Sequence, residues 1–255
     1  GCRAPVRGVF SRETVPAMHW WLPEGVSTYS GTVDHLFYLI LAVTGVAFVA
    51  TEVLLLLFVF RYRRRPGVRA TYTHGNNTLE VIWTIVPAVI LVMLAFISRS
   101  GWNRIKGTMP KTDEAVTITA SQFNWEIRYR GADGKFDTPD DVVTSNDMHL
   151  PVGVPTLIHL RSKDVIHSFF LPQFRLKQDA VPGLTVDVWL QATRTGTFEI
   201  ACAELCGFGH YSMRGQLTVH TPEEYRAWLQ EAESAVAAEQ PSTAAARPRN
   251  GRPPA

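Results

Sequence analysis

Two long apolar runs joined by a short arginine-rich segment constrain this chain more than any other feature. His35 to Phe60 is almost continuously apolar, broken only by Glu52 and small polar residues. A helix needs about 20 such residues to cross a bilayer. Arg61-Tyr-Arg-Arg-Arg-Pro-Gly-Val-Arg69 follows, with a helix-ending Pro-Gly. A second run, Val81 to Ile97, contains Pro87, which a membrane helix tolerates when neighbours satisfy the freed carbonyl. The pattern predicts a transmembrane hairpin over residues 34–99 with a connecting loop at about 61–78. Basic residues stay cytoplasmic. The loop holds Arg61, Arg63, Arg64, Arg65 and Arg69, whereas the far side of the second span holds only Arg99, Arg104 and Lys106. Both termini are therefore expected outside. The arginine run would otherwise read as a nucleic-acid patch, but its place between two spans and a net charge of only +2 argue against such a partner.

After Pro110 the texture changes. Ala115–Ala120, Phe123–Arg130, Thr156–Arg161, Thr185–Gln191, Thr197–Cys202 and Gly215–His220 are rich in Val, Ile, Thr and aromatics, and turn residues separate most of them. That spacing predicts an all-β sandwich or barrel over 110–221. An acidic, turn-rich stretch, 131–141, reads as a solvated hairpin loop, since its spacing is not that of an EF-hand. Pro222 opens a helix with Thr221 as its N-cap. The rest of 222–255 ends in a Pro-, Ala- and Arg-rich tail expected to be disordered. Residues 1–33 form an exoplasmic segment. Its Cys2 is a candidate lipid-attachment site after signal cleavage, with an ordinary start as the alternative.

Chemistry concentrates in Cys202-Ala-Glu-Leu-Cys-Gly-Phe-Gly-His210-Tyr-Ser-Met213. Thiols, an imidazole and a thioether are soft ligands suited to copper, zinc or iron–sulfur. Cys202 and Cys206 can both turn to one point, where two thiolates would bridge two copper ions. Each copper then needs a terminal imidazole. His210 supplies one, and His167, in a loop just past the Thr156–Arg161 strand, is the best candidate for the other. Met213 offers an axial sulfur, and the Glu204 carbonyl can reach the second copper. His167, Cys202, Cys206 and His210 would also make a Cys2His2 zinc site, but zinc would leave Met213 idle. A Cys202–Cys206 disulfide would leave the His and Met without purpose. A closed ligand set offers substrate no open position, so electron relay is the expected chemistry.

These residues resemble subunit II of the cytochrome c oxidases, from about residue 30 to residue 222. The Cys202–Met213 loop matches the family's copper loop in full. Asp164-Val-Ile-His167-Ser-Phe resembles the segment carrying its first histidine, Leu176-Lys-Gln-Asp-Ala-Val-Pro-Gly183 its following turn, and Leu79-Glu80-Val-Ile-Trp-Thr-Ile-Val-Pro87 the start of its second helix. The resemblance implies a membrane-anchored all-β protein. A two-helix transmembrane hairpin would be followed by an exoplasmic cupredoxin-like Greek-key β-barrel carrying a dinuclear copper A centre. It implies that His167 and Met213 serve one copper, His210 and the Glu204 carbonyl the other, with Cys202 and Cys206 bridging. It implies that the Glu204 carboxylate borders a magnesium site shared with subunit I. It further implies that Glu80 stands at the mouth of a proton pathway, and that the bacterial inner membrane holds the complex. Electrons would come from a separate cytochrome c-type donor and pass to haem in subunit I, where oxygen is reduced to water with proton pumping. Subunit III and membrane lipid are further implied partners. No Cys-x-x-Cys-His occurs, so the chain attaches no haem itself.

Two departures stand out. In Ser121-Gln-Phe123-Asn-Trp125-Glu-Ile-Arg-Tyr129, Phe123 takes the place of the family's first tryptophan, where electrons enter, and Trp125 matches the second. Arg128 stands where the family often has an acid. Phe123 and Trp125 are accordingly expected to form the donor-docking surface. A copper-delivery module would want a more exposed, labile site. A quinol-oxidase relative would lack the copper ligands, and a nitrous oxide reductase would bring a large catalytic domain.

Overall fold

A computed structural model describes residues 22–239; Cys2 and the tail from Gln240 lie outside them. Helix α1 runs Ser30–Arg61 and α2 runs Asn77–Trp102, both longer than the sequence reading. Their most apolar windows have no buried residues within the chain, so they present apolar surface to whatever surrounds them, lipid or partner helices. Three threonines inside them are satisfied locally. Thr44, Thr51 and Thr84 each donate a hydroxyl to the carbonyl four residues back, at 2.8 Å. That is what hydrocarbon requires of a hydroxyl. The Asn76 side chain caps α2 by accepting the Leu79 amide at 3.1 Å, with Glu80 in the first turn. A wider helical turn, Asn103–Gly107, continues α2 toward the following domain.

Ten strands follow. β1 (Ala115–Ser121), β2 (Asn124–Tyr129), β3 (Val142–Ser145), β5 (Thr156–Ser162) and β8 (Thr185–Leu190) form one sheet in the order β3-β2-β1-β5-β8. β4 (Asp147–Pro151), β6 (His167–Leu171), β7 (Leu176–Ala180), β9 (Gly196–Cys202) and β10 (Arg214–His220) form the other, in the order β4-β10-β9-β6-β7. The barrel expectation is thus realised as two packed five-stranded sheets. β5 lies parallel to β1, and β10 parallel to β4, because the chain crosses between sheets before returning. Ile118, Ile127, Ile158, Leu160, Phe169, Leu171, Ile200 and Leu217 fill the space between them, all fully buried. The acidic loop 131–141 joins the antiparallel pair β2 and β3, as a hairpin loop should. Its carboxylates are engaged: Asp141 accepts from Gly131, Thr138 and Arg128, and Asp137 pairs with Arg161 at 2.8 Å.

Helix α3, Pro222–Glu239, begins with a reciprocal cap. Thr221 Oγ1 accepts the Glu224 amide at 3.3 Å, while Glu224 accepts the Thr221 amide at 3.0 Å.

The hairpin is bolted to the sheets. Just before α1, Val26 donates to the Gln173 carbonyl and Ser27 to that of Phe174, both at 2.8 Å. Arg175 grips both carboxylate oxygens of Asp34 at 2.6 and 3.1 Å, and the Trp189 indole donates to the Ile105 carbonyl at 2.8 Å. These ties hold the β-domain at the end of the hairpin opposite the arginine-rich loop.

Candidate metal centre

The site grows from the register of two neighbouring strands. β9 ends at Cys202, whose backbone lies opposite Phe169 of β6. His167, two residues earlier on β6, therefore falls on the same face beside the loop that follows Cys202. The structure corrects the expectation that His167 lies in a connecting loop: it is the first residue of β6, fully buried. The loop closes where the Cys202 amide donates to the Met213 carbonyl at 3.2 Å. It is tied to β6 by Ala203 donating to Ser168, and to the start of β2 by the Gln122 side chain donating to the Cys206 carbonyl at 2.6 Å.

The donor atoms converge. Cys202 Sγ lies 3.8 Å from Cys206 Sγ. A disulfide would bring them to about 2.05 Å, and both cysteines are free. His167 Nδ1 stands 4.0 Å from Cys202 Sγ, and the Glu204 carbonyl oxygen 3.3 Å from it. His210 Nδ1 and Met213 Sδ stand 3.6 and 3.7 Å from Cys206 Sγ. Ligand atoms of His167, Cys202 and Cys206 all lie within 4.8 Å of one another. Two sulfurs at the centre, an imidazole on each side, a thioether and a carbonyl form a soft set that fits copper. Each of the six donors expected from the sequence thus lies within 4.0 Å of one of the two sulfurs, with His167 and the Glu204 carbonyl beside Cys202 and with His210 and Met213 beside Cys206. Burial, reinforced by the neighbouring Cys202, pushes the Cys206 thiol up to about 11, so it keeps its proton until a metal displaces it.

Asp164 was missed as part of this site, although it stands in the same motif as His167. Its carboxylate lies 2.8 Å from His167 Nε2, which fixes the ring and turns Nδ1 toward the sulfurs. Asp164 also accepts the Gln122 amide at 2.7 Å.

The two aromatics expected at a docking surface part company. Trp125 is 0% exposed, packed edge-on against Phe169 and His167, so it presents nothing to a partner. The correction follows from strand parity: Glu126 and Arg128 occupy the outward face of β2, which sends Trp125 inward. Phe123 is half-buried against the metal loop. A Cβ at Gly209 would fall 2.5 Å from its ring, and one at Gly207 3.3 Å, so the close approach requires both glycines. What the loop does expose is Leu205, Tyr211 and Phe208, the last at 96%. Glu204 is exposed beside them. Glu80 lies at the other end of α2, about 33 Å of helix away, and takes no part in this centre.

A family profile described as cytochrome c oxidase subunit II, transmembrane domain, matches residues 17–100. Another, described as the periplasmic domain of the same subunit, matches residues 132–219. The alternative cytochrome c oxidase subunit 2 of Bradyrhizobium diazoefficiens is 34% identical over 234 residues, 83% of each chain. The chain belongs to the cytochrome c oxidase subunit II family. Cytochrome c oxidase subunit 2 of Thermostichus vulcanus is likewise 34% identical, over 82% of this chain and 78% of that one. The crystal structure of the periplasmic domain of subunit II of cytochrome oxidase of Bradyrhizobium japonicum is 28% identical and aligns with 51% of this chain and 99% of its own, with a TM-score of 0.45. As a subunit II, the chain is part of a haem–copper oxidoreductase complex, membrane-anchored through its hairpin with the β-domain exoplasmic.

Proposed function

We propose that this subunit receives electrons from a separate cytochrome c-type protein at a dinuclear copper A centre and hands them to haem in subunit I. His167, Cys202, Cys206, His210, Met213 and the Glu204 carbonyl would hold the metal. The convergence of these six donors around two free cysteines carries the reading. Bound there, a copper pair supplies one-electron redox chemistry.

The chain's own residues prepare the site for that. Asp164 holds His167 in one tautomer and one orientation, so the ring need not reorganise when charge changes. Met213 and Cys206 are buried, and Phe123 lies over the glycine-flanked loop, which keeps water from these two sulfurs, while Cys202 is partly exposed. The exposed Leu205, Phe208 and Tyr211 form an apolar rim suited to docking a partner protein. In this reading the Glu204 carboxylate borders magnesium at the subunit I interface, and Glu80 opens a proton pathway at the cytoplasmic side. Subunits I and III complete the complex in the bacterial inner membrane, where subunit I reduces oxygen with proton pumping.

Metal analysis of the purified full-length chain, with absorption and electron paramagnetic resonance spectra, tests the centre. Two coppers per chain, a purple colour and a mixed-valence signal are expected. A colourless protein holding one zinc would overturn the proposal.

A further inference from the structure

The exoplasmic end of the hairpin holds a cavity of about 630 Å³ between α1, α2, the turn Asn103–Gly107 and Arg175 of the β-domain. Its apolar wall includes Val33 and Leu36 of α1 with Ala95 and Trp102 of α2. Arg99 and Lys106 line it as well. Neither cation has an acidic partner among the described residues. Among the described residues, the Lys106 ammonium meets one polar side chain, the neutral amide oxygen of Gln178 at 2.7 Å. Arg175 also reaches the cavity, but its charge is already matched by Asp34.

Three features identify the occupant's chemistry. Two uncompensated cations ask for an anion. The apolar wall is continuous with the exposed apolar faces of two membrane-spanning helices and so suits hydrocarbon. Trp102, two-thirds exposed, is the kind of residue that sits at headgroup level in a bilayer. Basic pockets between membrane helices on the cytoplasmic side take anionic lipid headgroups, and the same pairing of cations with apolar wall is present here at the exoplasmic end. We propose that this cavity binds one anionic phospholipid of the exoplasmic leaflet, its phosphate held by Arg99 and Lys106 and an acyl chain lying along Val33, Leu36 and Ala95. The lipid would sit against the ties that fasten the hairpin to the β-domain, Arg175–Asp34 and Trp189–Ile105.

Native mass spectrometry of the delipidated full-length chain, titrated with phosphatidylglycerol or phosphatidylcholine, reads the site directly. One tightly held phosphatidylglycerol per chain is expected, with much weaker retention of phosphatidylcholine. Removing both charges with Arg99→Gln and Lys106→Gln should weaken phosphatidylglycerol roughly thirtyfold, at about 1 kcal/mol per cation. Ala95→Phe, which fills the apolar wall and keeps both charges, should also lower binding. Equal retention of the two lipids by the unaltered chain overturns the proposal and needs no variant to fold. Displacement of the lipid by millimolar inorganic phosphate would show a free-anion site and also overturn it. In the assembled oxidase, a photoreactive residue at position 95 should give a lipid adduct. An adduct to another subunit would mean that protein, not lipid, fills the cavity.

Discussion

Asp164 Oδ1 lies 2.8 Å from Nε2 of His167, and this contact turns the other ring nitrogen toward Cys202 Sγ. Carboxylates placed this way on ligand imidazoles raise ligand basicity, and losing one typically weakens metal binding by about 10- to 100-fold. Asp164→Asn keeps the shape and can still accept the Gln122 amide. It should therefore fold normally but give up copper to a chelator at least about tenfold more readily, with a shifted absorption spectrum. Unchanged copper retention and spectrum would remove Asp164 from the centre.

Met213 is buried, with its sulfur 3.7 Å from Cys206 Sγ. A weak axial thioether tunes a copper potential more than it anchors the metal. Met213→Leu conserves volume, so it should keep both coppers and the fold while shifting the midpoint in a redox titration. Loss of all copper would make the thioether a primary ligand.

Phe123 and Gly209 compete for one volume. A methyl group at position 209 would meet the ring at 2.5–2.8 Å, too close for any real contact. Gly209→Ala should therefore lower stability by about 1–3 kcal/mol, the usual range for overpacking. Combining it with Phe123→Ala should recover much of that loss, since the clashing ring is gone. Thermal unfolding of the two single variants and the double variant measures the coupling. Additive effects would mean that the ring does not press on this loop.

Much of this was legible because the periods are clean. The two spans stand out as apolar runs, and β1, β2, β5, β8, β9 and β10 show as β-branched or aromatic stretches bounded by turns. β4 and β6 did not, because they are buried almost throughout and lack alternation. β7 buries only its two ends, and β3 has four residues and is separated from β4 only by Asn146, at φ 57°. Most of the candidate metal ligands were legible because soft donors are rare and cluster within one loop. The role of Asp164 was not, since a carboxylate three residues from a histidine declares no function until both side chains are placed. The direction of Trp125 was written in the sequence: Glu126 and Arg128 mark the wet face of β2, and alternation puts Trp125 and Ile127 on the other.

That burial separates two roles in donor reaction. Trp125 has no surface to offer, so Trp125→Phe should leave the donor's KM unchanged. Any effect should fall on the rate of electron passage or on stability, since truncating a buried tryptophan further, to alanine, costs about 3–5 kcal/mol. Phe208→Ala removes the most exposed apolar side chain of the metal loop and should raise KM while leaving the copper spectrum intact. Stopped-flow reduction by the native donor distinguishes them. A raised KM for Trp125→Phe alone would restore the docking role that its burial denies.

The docking of α3 should depend on pH through a pair of histidines. His149 Nε2 lies 3.1 Å from Asp147, and His149 Nδ1 lies 2.8 Å from His220 Nε2, with the two rings nearly parallel. His149 stacks on Trp228 of α3 at 4.1 Å, and its amide donates to the Tyr129 hydroxyl. With the His149 proton directed at Asp147, His149 Nδ1 accepts from His220, and a further proton must go to the far nitrogen of His220. Burial, and then the adjacent His149, push the His220 pKa below its ordinary value, while Glu224 and Asp147 oppose the shift. The folded state thus binds that proton less well than the unfolded state. Its stabilisation is complete above about pH 6.5, the unperturbed value, and is lost as pH falls through the lower folded value. The unfolding midpoint, followed by tryptophan fluorescence, should drop between pH 7 and pH 5 more steeply than in His220→Gln, which cannot take up the proton. Equal slopes in the two proteins would show that the histidine pair does not sense pH.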